Sequence, residues 1–218
     1  MTAILEEKTG GVAAAPDLAT ALAVLAEGAT TVGAVSQGLG GMPPGERAGA
    51  LIAPVLALLR DRLGFDIAWV AIGGGNGPPA LTRCTLGPAL AGREAASFAP
   101  AIAPLLADLP FAPRPGTLTP GRWVADLATG EVHPAVAPIV AELGLRGVLA
   151  VPLLPRQEER VVGAIVAGTR APALAIPEMI GIVGLLGAQL GTAISHAEGL
   201  ERLRVSEERA RVVMGEAT

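Results

Sequence analysis

Apolar positions along the chain fall into blocks of two different periods. Leu18, Leu22, Leu25, Val32 and Val35 recur on one helical face, so a helix is expected over 17–37, with Asp17 as its N-cap. The glycines at 38–41 and Pro43-Pro44 end it. A second helix is expected from about Glu46, with Leu51, Val55, Leu56, Leu58 and Leu59 on its apolar face, a kink at Pro54 and an end at Arg60–Arg62 before Gly64. The pattern then shortens. Phe65 to Ile72 is an unbroken apolar run, as in a buried strand, and Ala80 to Leu86 alternates. With GGGNGPP (73–79) as the turn, the two read as a hairpin.

Residues 87–121 are rich in Pro and Gly, with a short helix expected near Ala99 to Leu109. Arg122 to Asp126 reads as a third strand, and His133 to Leu143 as a helix that holds Pro138 awkwardly and stops at Gly144. Gly147–Leu154 and Arg160–Gly168 flank the polar turn PRQEE and form a second hairpin, expected to bury one long apolar face. Pro177 opens a helix reaching about Val213. Its first half is apolar; its second carries Glu198/Arg202 and Glu207/Arg211 at i,i+4. A helix that begins apolar and ends charged is leaving the body of its domain. Strands segregated from flanking helices indicate an α+β domain on an antiparallel sheet, and the lack of βαβ alternation disfavours a doubly wound fold. The expected division is a flexible tail over 1–15, an N-terminal helix over 16–45, the domain body over 46–200 and an exit helix over 201–218.

Composition narrows the function classes. At 51% hydrophobic and 17% charged residues, the 218-residue chain can bury a core rather than remain disordered. A net charge of −4 argues against an electrostatic grip on nucleic acid. Only 2% aromatic residues, with no Tyr, argues against a base-stacking platform. The mean hydropathy of +0.53 raises the question of a membrane. The longest apolar stretch, Met179 to Ile194, is broken by four glycines, Gln189 and Thr192, and falls short of the ~20 residues a span needs. The N-terminus lacks a basic signal-like region. The expectation is a soluble cytoplasmic protein with no membrane and no nucleic-acid partner.

The stretch from His133 to Leu203 resembles the second half of a GAF domain. The matching residues are Gly144, Arg146, Val151-Pro152-Leu153, Val161-Val162-Gly163 and Gln189. LLRDRLGFDIAWVAI (58–72) is similar to the family's first helix-to-strand passage, and GRWVADLATGEVHP (121–134) to its third strand and the loop beyond. The resemblance spans about 50–203. It implies a GAF-like antiparallel sheet flanked by helices, with long N- and C-terminal helices. It also implies a sensor of some small molecule. Ser206-Glu207-Glu208-Arg209 resembles the linker helix that often joins a GAF domain to a following PAS domain or kinase core, which implies an output module such as a histidine kinase.

The chemistry-bearing residues are few. His133 and His196 are the only histidines and Cys84 the only cysteine, so neither a nucleophilic triad nor a metal centre assembles readily, and the segment is read as non-catalytic. GGGNGPP lacks the Lys-Ser/Thr of a phosphate loop. GAF enzymes that reduce methionine sulfoxide use several cysteines, which this chain lacks. In haem-binding relatives the iron-binding His stands just before the strand matching 147–154; here Leu143-Gly-Leu-Arg146 stands there and His133 comes too early, so haem is disfavoured. The Cys-His or Asp-Ile-Pro signatures of bilin-binding members are absent, as is the Asn-Lys-Phe-Asp-Glu set of cyclic-nucleotide binders. A small anion could be met by Arg83, Arg122 or Arg146. What remains is a mainly apolar pocket walled by Trp69, Cys84, Trp123, His133 and Val136, of which both tryptophans also suit ordinary core. The ligand is not identified by the sequence. The terminal helices are expected to lie together and pair in a homodimer. Val183, Leu186, Leu190, Ala193, Ala197 and Leu200 have a spacing suited either to such a seam or to the core of one chain. A ligand-free dimerisation scaffold and a haem-based gas or redox sensor are the alternatives.

Overall fold

Two hairpins legible in the sequence join edge to edge into one five-stranded antiparallel sheet. The computed structural model describes residues 18–73, 81–90, 122–125, 137–155, 161–170 and 177–215. The tail at 1–15, the helix expected at 99–109, most of the two hairpin turns, His133 and Val136 lie outside the described residues.

Helix α1 (Leu18–Gly38) passes through a short 3-10 turn (Leu39–Gly41) into α2 (Pro44–Asp61). Helix α2 begins two residues before the expected Glu46 because Pro44 occupies its first turn, where no N–H is needed. It runs on unbroken through Pro54. Its end is closed by Arg62 and Leu63, whose N–H groups both donate to the Leu58 carbonyl at 3.0 and 3.1 Å. Gly64 at φ +70° then turns the chain into β1 (Ile67–Ile72). The same device recurs after α3 (Ala137–Leu143), where the Leu145 N–H donates to Val140 O at 3.0 Å. There Gly144 at φ +63° leads into β4 (Gly147–Leu153). Pro138 is tolerated because it sits in the first turn of α3.

Strand β1 pairs with β2 (Leu81–Leu86), and β4 with β5 (Gly163–Thr169), as the two hairpins require. Strand β3 (Arg122–Ala125) adds to the outer edge of β4. The hairpins are welded by β1 and β5, in register from Ile67↔Gly168 to Ile72↔Gly163, giving the order β2-β1-β5-β4-β3.

Alternate residues of this sheet enter two separate cores. Ala68, Val70, Leu149, Val151, Leu153 and Ile165 face the layer of α1, α2 and the long helix α4 (Pro177–Gly215). Ile67, Trp69, Val148, Ala150 and Val166 face the other way, toward α3. The expectation that the 147–168 hairpin buries only one face is therefore corrected: β4 and β5 are buried along their whole length, since both sides of the sheet are covered. A doubly covered strand reads as a continuous apolar run instead of an alternating one, and the sequence has that form.

Helix α4 lies directly on the end of β4. A Cβ on Gly187 would meet the Pro152 carbonyl oxygen at 3.1 Å, and one on Gly191 would meet the backbone of Leu153 and Leu154 at 3.0–3.1 Å. Only glycine, one turn apart, allows that approach. Val183, Leu186 and Leu190 are fully buried in the core of the single chain, with Ala197 nearly so and Ala193 packed against it. They do not face a partner. The 3-4 spacing served the domain's own core, and only Leu200 of that series is exposed. Gly28 of α1 sits between Leu186 and Leu58, while Arg47 near the start of α2 meets Glu201, so α2 runs antiparallel to α4.

Candidate functional site

The face of the sheet turned away from α1, α2 and α4 carries Trp69 and Cys84. Trp69 stands midway along β1, flanked across the ladders by Cys84 on β2 and Val166 on β5. Ile67, Leu90, Leu143 and Ala150 belong to the same buried cluster. Trp69 exposes 2% of its surface. Its indole nitrogen is buried and has no hydrogen-bond partner. Buried donors are normally paired, and leaving one unpaired costs about 1–3 kcal/mol.

Cys84 is half-buried beside this indole. Burial pushes its thiol up to about 12, opposed by the neighbouring Trp69 indole. The indole N–H lies near the sulfur but forms no well-aligned hydrogen bond with it, and the thiol itself donates to the Thr85 carbonyl at 3.7 Å. A thiol held protonated is a poor nucleophile and a poor metal ligand, and Cys84 packs here as a small apolar residue against the Trp69 cluster.

Of the five wall residues expected from sequence, the structure brings Trp69 and Cys84 together as a cross-strand pair. Trp123 lies on β3, with its backbone paired to Leu149 and two strands between it and Trp69. His133 and Val136 fall outside the described residues. Val148, Ala150 and Val166 join the Trp69 face unforeseen. Their membership depends on strand parity across the β1–β5 weld, for which the sequence offers no local signal. The three arginines suggested for an anion do not share a position. Arg83 points to the α2 side over Gly49, Arg146 is exposed in the turn before β4, and Arg122 begins β3. Among the described residues, no group of three or more His, Cys, Asp or Glu is placed to hold a metal ion.

On the opposite side of the sheet, one polar group is locked into the core. Arg47 is 7% exposed. Its Nε–H donates to the Met42 carbonyl at 3.0 Å, and its other donor reaches Glu201 Oε2 at 3.0 Å. Glu201 marks the level at which α4 leaves the body: residues 202–212 are exposed throughout, and the Arg202–Glu198 pair at 3.9 Å is a solvated i,i+4 contact. One helix segment, Met179–Val212, has the length and composition to cross a membrane. Its side chains Met179, Ile182, Val183, Leu186, Leu190 and Ile194 lie in the core, whereas Leu185, Leu200, Leu203, Val205 and Val212 of the same segment are exposed.

No family model matches the chain, and no curated protein matches it. Solved structures do. The GAF domain of a protein assigned as a sensor histidine kinase in Pseudomonas syringae pv. tomato superposes with a TM-score of 0.51 at 17% identity, over 86% of this chain and 94% of that one. A domain assigned to a two-component sensor histidine kinase of Sinorhizobium meliloti 1021 gives 0.51 at 16% identity, over 70% and 93%. The free methionine-R-sulfoxide reductase of Neisseria meningitidis gives 0.51 at 14% identity, over 87% and 98%. The fold is GAF-like: α+β, with a central antiparallel sheet flanked by helices that include long terminal ones. Identities of this size carry the fold and no finer property, and the third structure is an enzyme on the same scaffold.

Proposed function

We propose that this chain is a non-catalytic sensor module that binds a small molecule on the Trp69 face of the sheet. The bound state is passed through α4 to an output module such as a histidine kinase, in the cytoplasm. The observation that carries the reading is the two-sided sheet. The strands that present Trp69 and Val166 on one face hold Val70 and Ile165 under the helical layer on the other. Helix α4 rests on the backbone of β4 and then runs out of the body beyond Glu201. A ligand that favours one packing of the Trp69 face shifts the population of the sheet, and α4 is the element placed to carry that shift outward.

The domain body is proposed to end near residue 200, with 201–218 as the exit helix. Apolar side chains left exposed on the terminal helices, Leu22, Leu185, Leu200 and Leu203, favour a homodimer through those helices. Sedimentation that finds only monomer at high concentration removes the dimer.

The function is tested by a thermal-shift screen of metabolites, followed by hydrogen exchange on the chain with and without each compound that raises Tm. Binding should alter exchange both on the Trp69 face and in α4 near Glu201. A compound that stabilises the Trp69 face and leaves α4 unchanged refutes signalling through this helix. An absorption spectrum with a Soret band replaces the reading with haem-based sensing.

A further inference from the structure

The indole N–H of Trp69 is a donor and nothing else. It is buried and unpartnered. Among the described residues, the groups around it supply no good acceptor: Ile67, Ala150, Val166 and Leu143 are hydrocarbon, and the nearby Cys84 sulfur is a weak acceptor without a well-aligned hydrogen bond to it. The ladder oxygens of β1, β2 and β5 are committed to one another, because Trp69 lies within two paired registers. The missing partner of this N–H is therefore something the folded strands do not contain.

The remaining surface sets the character of that partner. The side chains of this cluster are uncharged, from Ile67 on β1 to Val140 on α3. An ion placed among them would lose its hydration without an opposite charge to replace it, at a cost of several kcal/mol. An apolar body carrying one acceptor would instead bury hydrocarbon and satisfy the orphaned donor. We infer that the Trp69 face selects a neutral, mainly apolar small molecule bearing a single acceptor oxygen or nitrogen, such as a cyclic ketone or a pyridine-type aromatic N-heterocycle, with the acceptor held by Trp69 Nε1. This inference rests on the reading of that face as the ligand site.

Three probes of similar size separate the terms: cyclohexanone, methylenecyclohexane (the same shape without the acceptor) and cyclohexanecarboxylate. Each is titrated into the 15N-labelled full chain, the Trp69 indole resonance being assigned with Trp123→Phe. Cyclohexanone should move that resonance saturably and bind about fivefold to tenfold more tightly than methylenecyclohexane, the worth of one net hydrogen bond. The carboxylate should bind least. Trp69→Phe should erase the preference for the ketone while leaving methylenecyclohexane within about twofold, since the ring's bulk is largely kept. If methylenecyclohexane or the carboxylate binds as well as the ketone, the inferred ligand class is overturned while the face remains a binding site. The same holds if Trp69→Phe keeps the preference. If no probe disturbs Trp69, Ile67, Ala150 or Val166, the binding face itself is refuted. Should Trp69→Phe fail to fold, the ketone-to-alkene ratio and the indole shift in the unmodified chain decide alone.

Discussion

Removing Glu201 should destabilise the protein more than removing its partner Arg47, although the two share one ion pair. The pair is asymmetric in burial: the Arg47 side chain is 9% exposed and that of Glu201 29%, with 3.0 Å between them. At an effective dielectric of about 20, unit charges about 4 Å apart attract by ~4 kcal/mol, most of which offsets the dehydration of the guanidinium. Glu201→Ala leaves that guanidinium in the core with only the Met42 carbonyl as partner. Breaking a buried pair in this way costs about 3–5 kcal/mol, reduced here to roughly 1.5–3 by the partial exposure of Glu201. Arg47→Met keeps a long apolar stem in place and leaves a carboxylate that water can still reach, so the expected cost is about 0–1.5 kcal/mol. The double variant should recover most of the loss, with a coupling of about 1–2 kcal/mol. Urea unfolding followed by far-UV circular dichroism measures all four corners of the cycle. Equal costs for the two single variants, or strict additivity in the double, would show that Arg47 is not held by Glu201. Hydrogen exchange adds a spatial check: in Glu201→Ala, protection should fall first in α4 around residues 198–204, where the helix parts from the body.

Other consequences can be measured alongside. Gly163→Ala should cost more than about 2 kcal/mol and disturb the β1–β5 weld, because its Cβ collides with the backbone carbonyl of Ala71. Gly28→Ala, whose new methyl meets the movable ends of Leu186 and Leu58, should cost less; a reversed order in urea midpoints refutes this reading of the contacts. Leu186→Ala should cost about 2–5 kcal/mol, as a fully buried core residue, whereas Leu200→Ala, at 62% exposure, should leave the stability of the monomer nearly unchanged. The Cys84 thiol predicts a pH effect of definite sign. The folded chain holds its proton to about 12, whereas the unfolded chain releases it near the ordinary 9.0. Stability is therefore intact below about pH 9 and declines as pH rises toward 12. Cys84→Ala should flatten that decline relative to the unmodified protein, and identical alkaline slopes for the two would contradict it.

Both hairpins, the passage through Leu143-Gly144-Leu145 and the long C-terminal helix were legible as local patterns, because each is set by period, turn chemistry or a glycine within a few residues of its effect. The pairing Trp69↔Cys84 was legible for the same reason: it lies inside one hairpin. Trp123 was grouped with them by residue type alone, and the strand order puts two strands between it and Trp69. Arg47 passed unnoticed as one arginine among many. Its importance comes from Glu201, 154 residues distant.

The sequence by itself determined which segments are strands and which are helices, and that α4 begins apolar and ends charged, since these depend on neighbours a few positions apart. Only the tertiary structure decided that β5 pairs with β1, that the sheet is covered on both faces, and that the seam-like spacing of α4 is spent within one chain. It also decided that Trp69 keeps an unsatisfied donor on an inner strand of the sheet. Those outcomes follow from which surfaces meet when the hairpins dock. A periodic apolar stripe fits a partner chain and a chain's own core equally well until the rest of the fold supplies the surface that covers it.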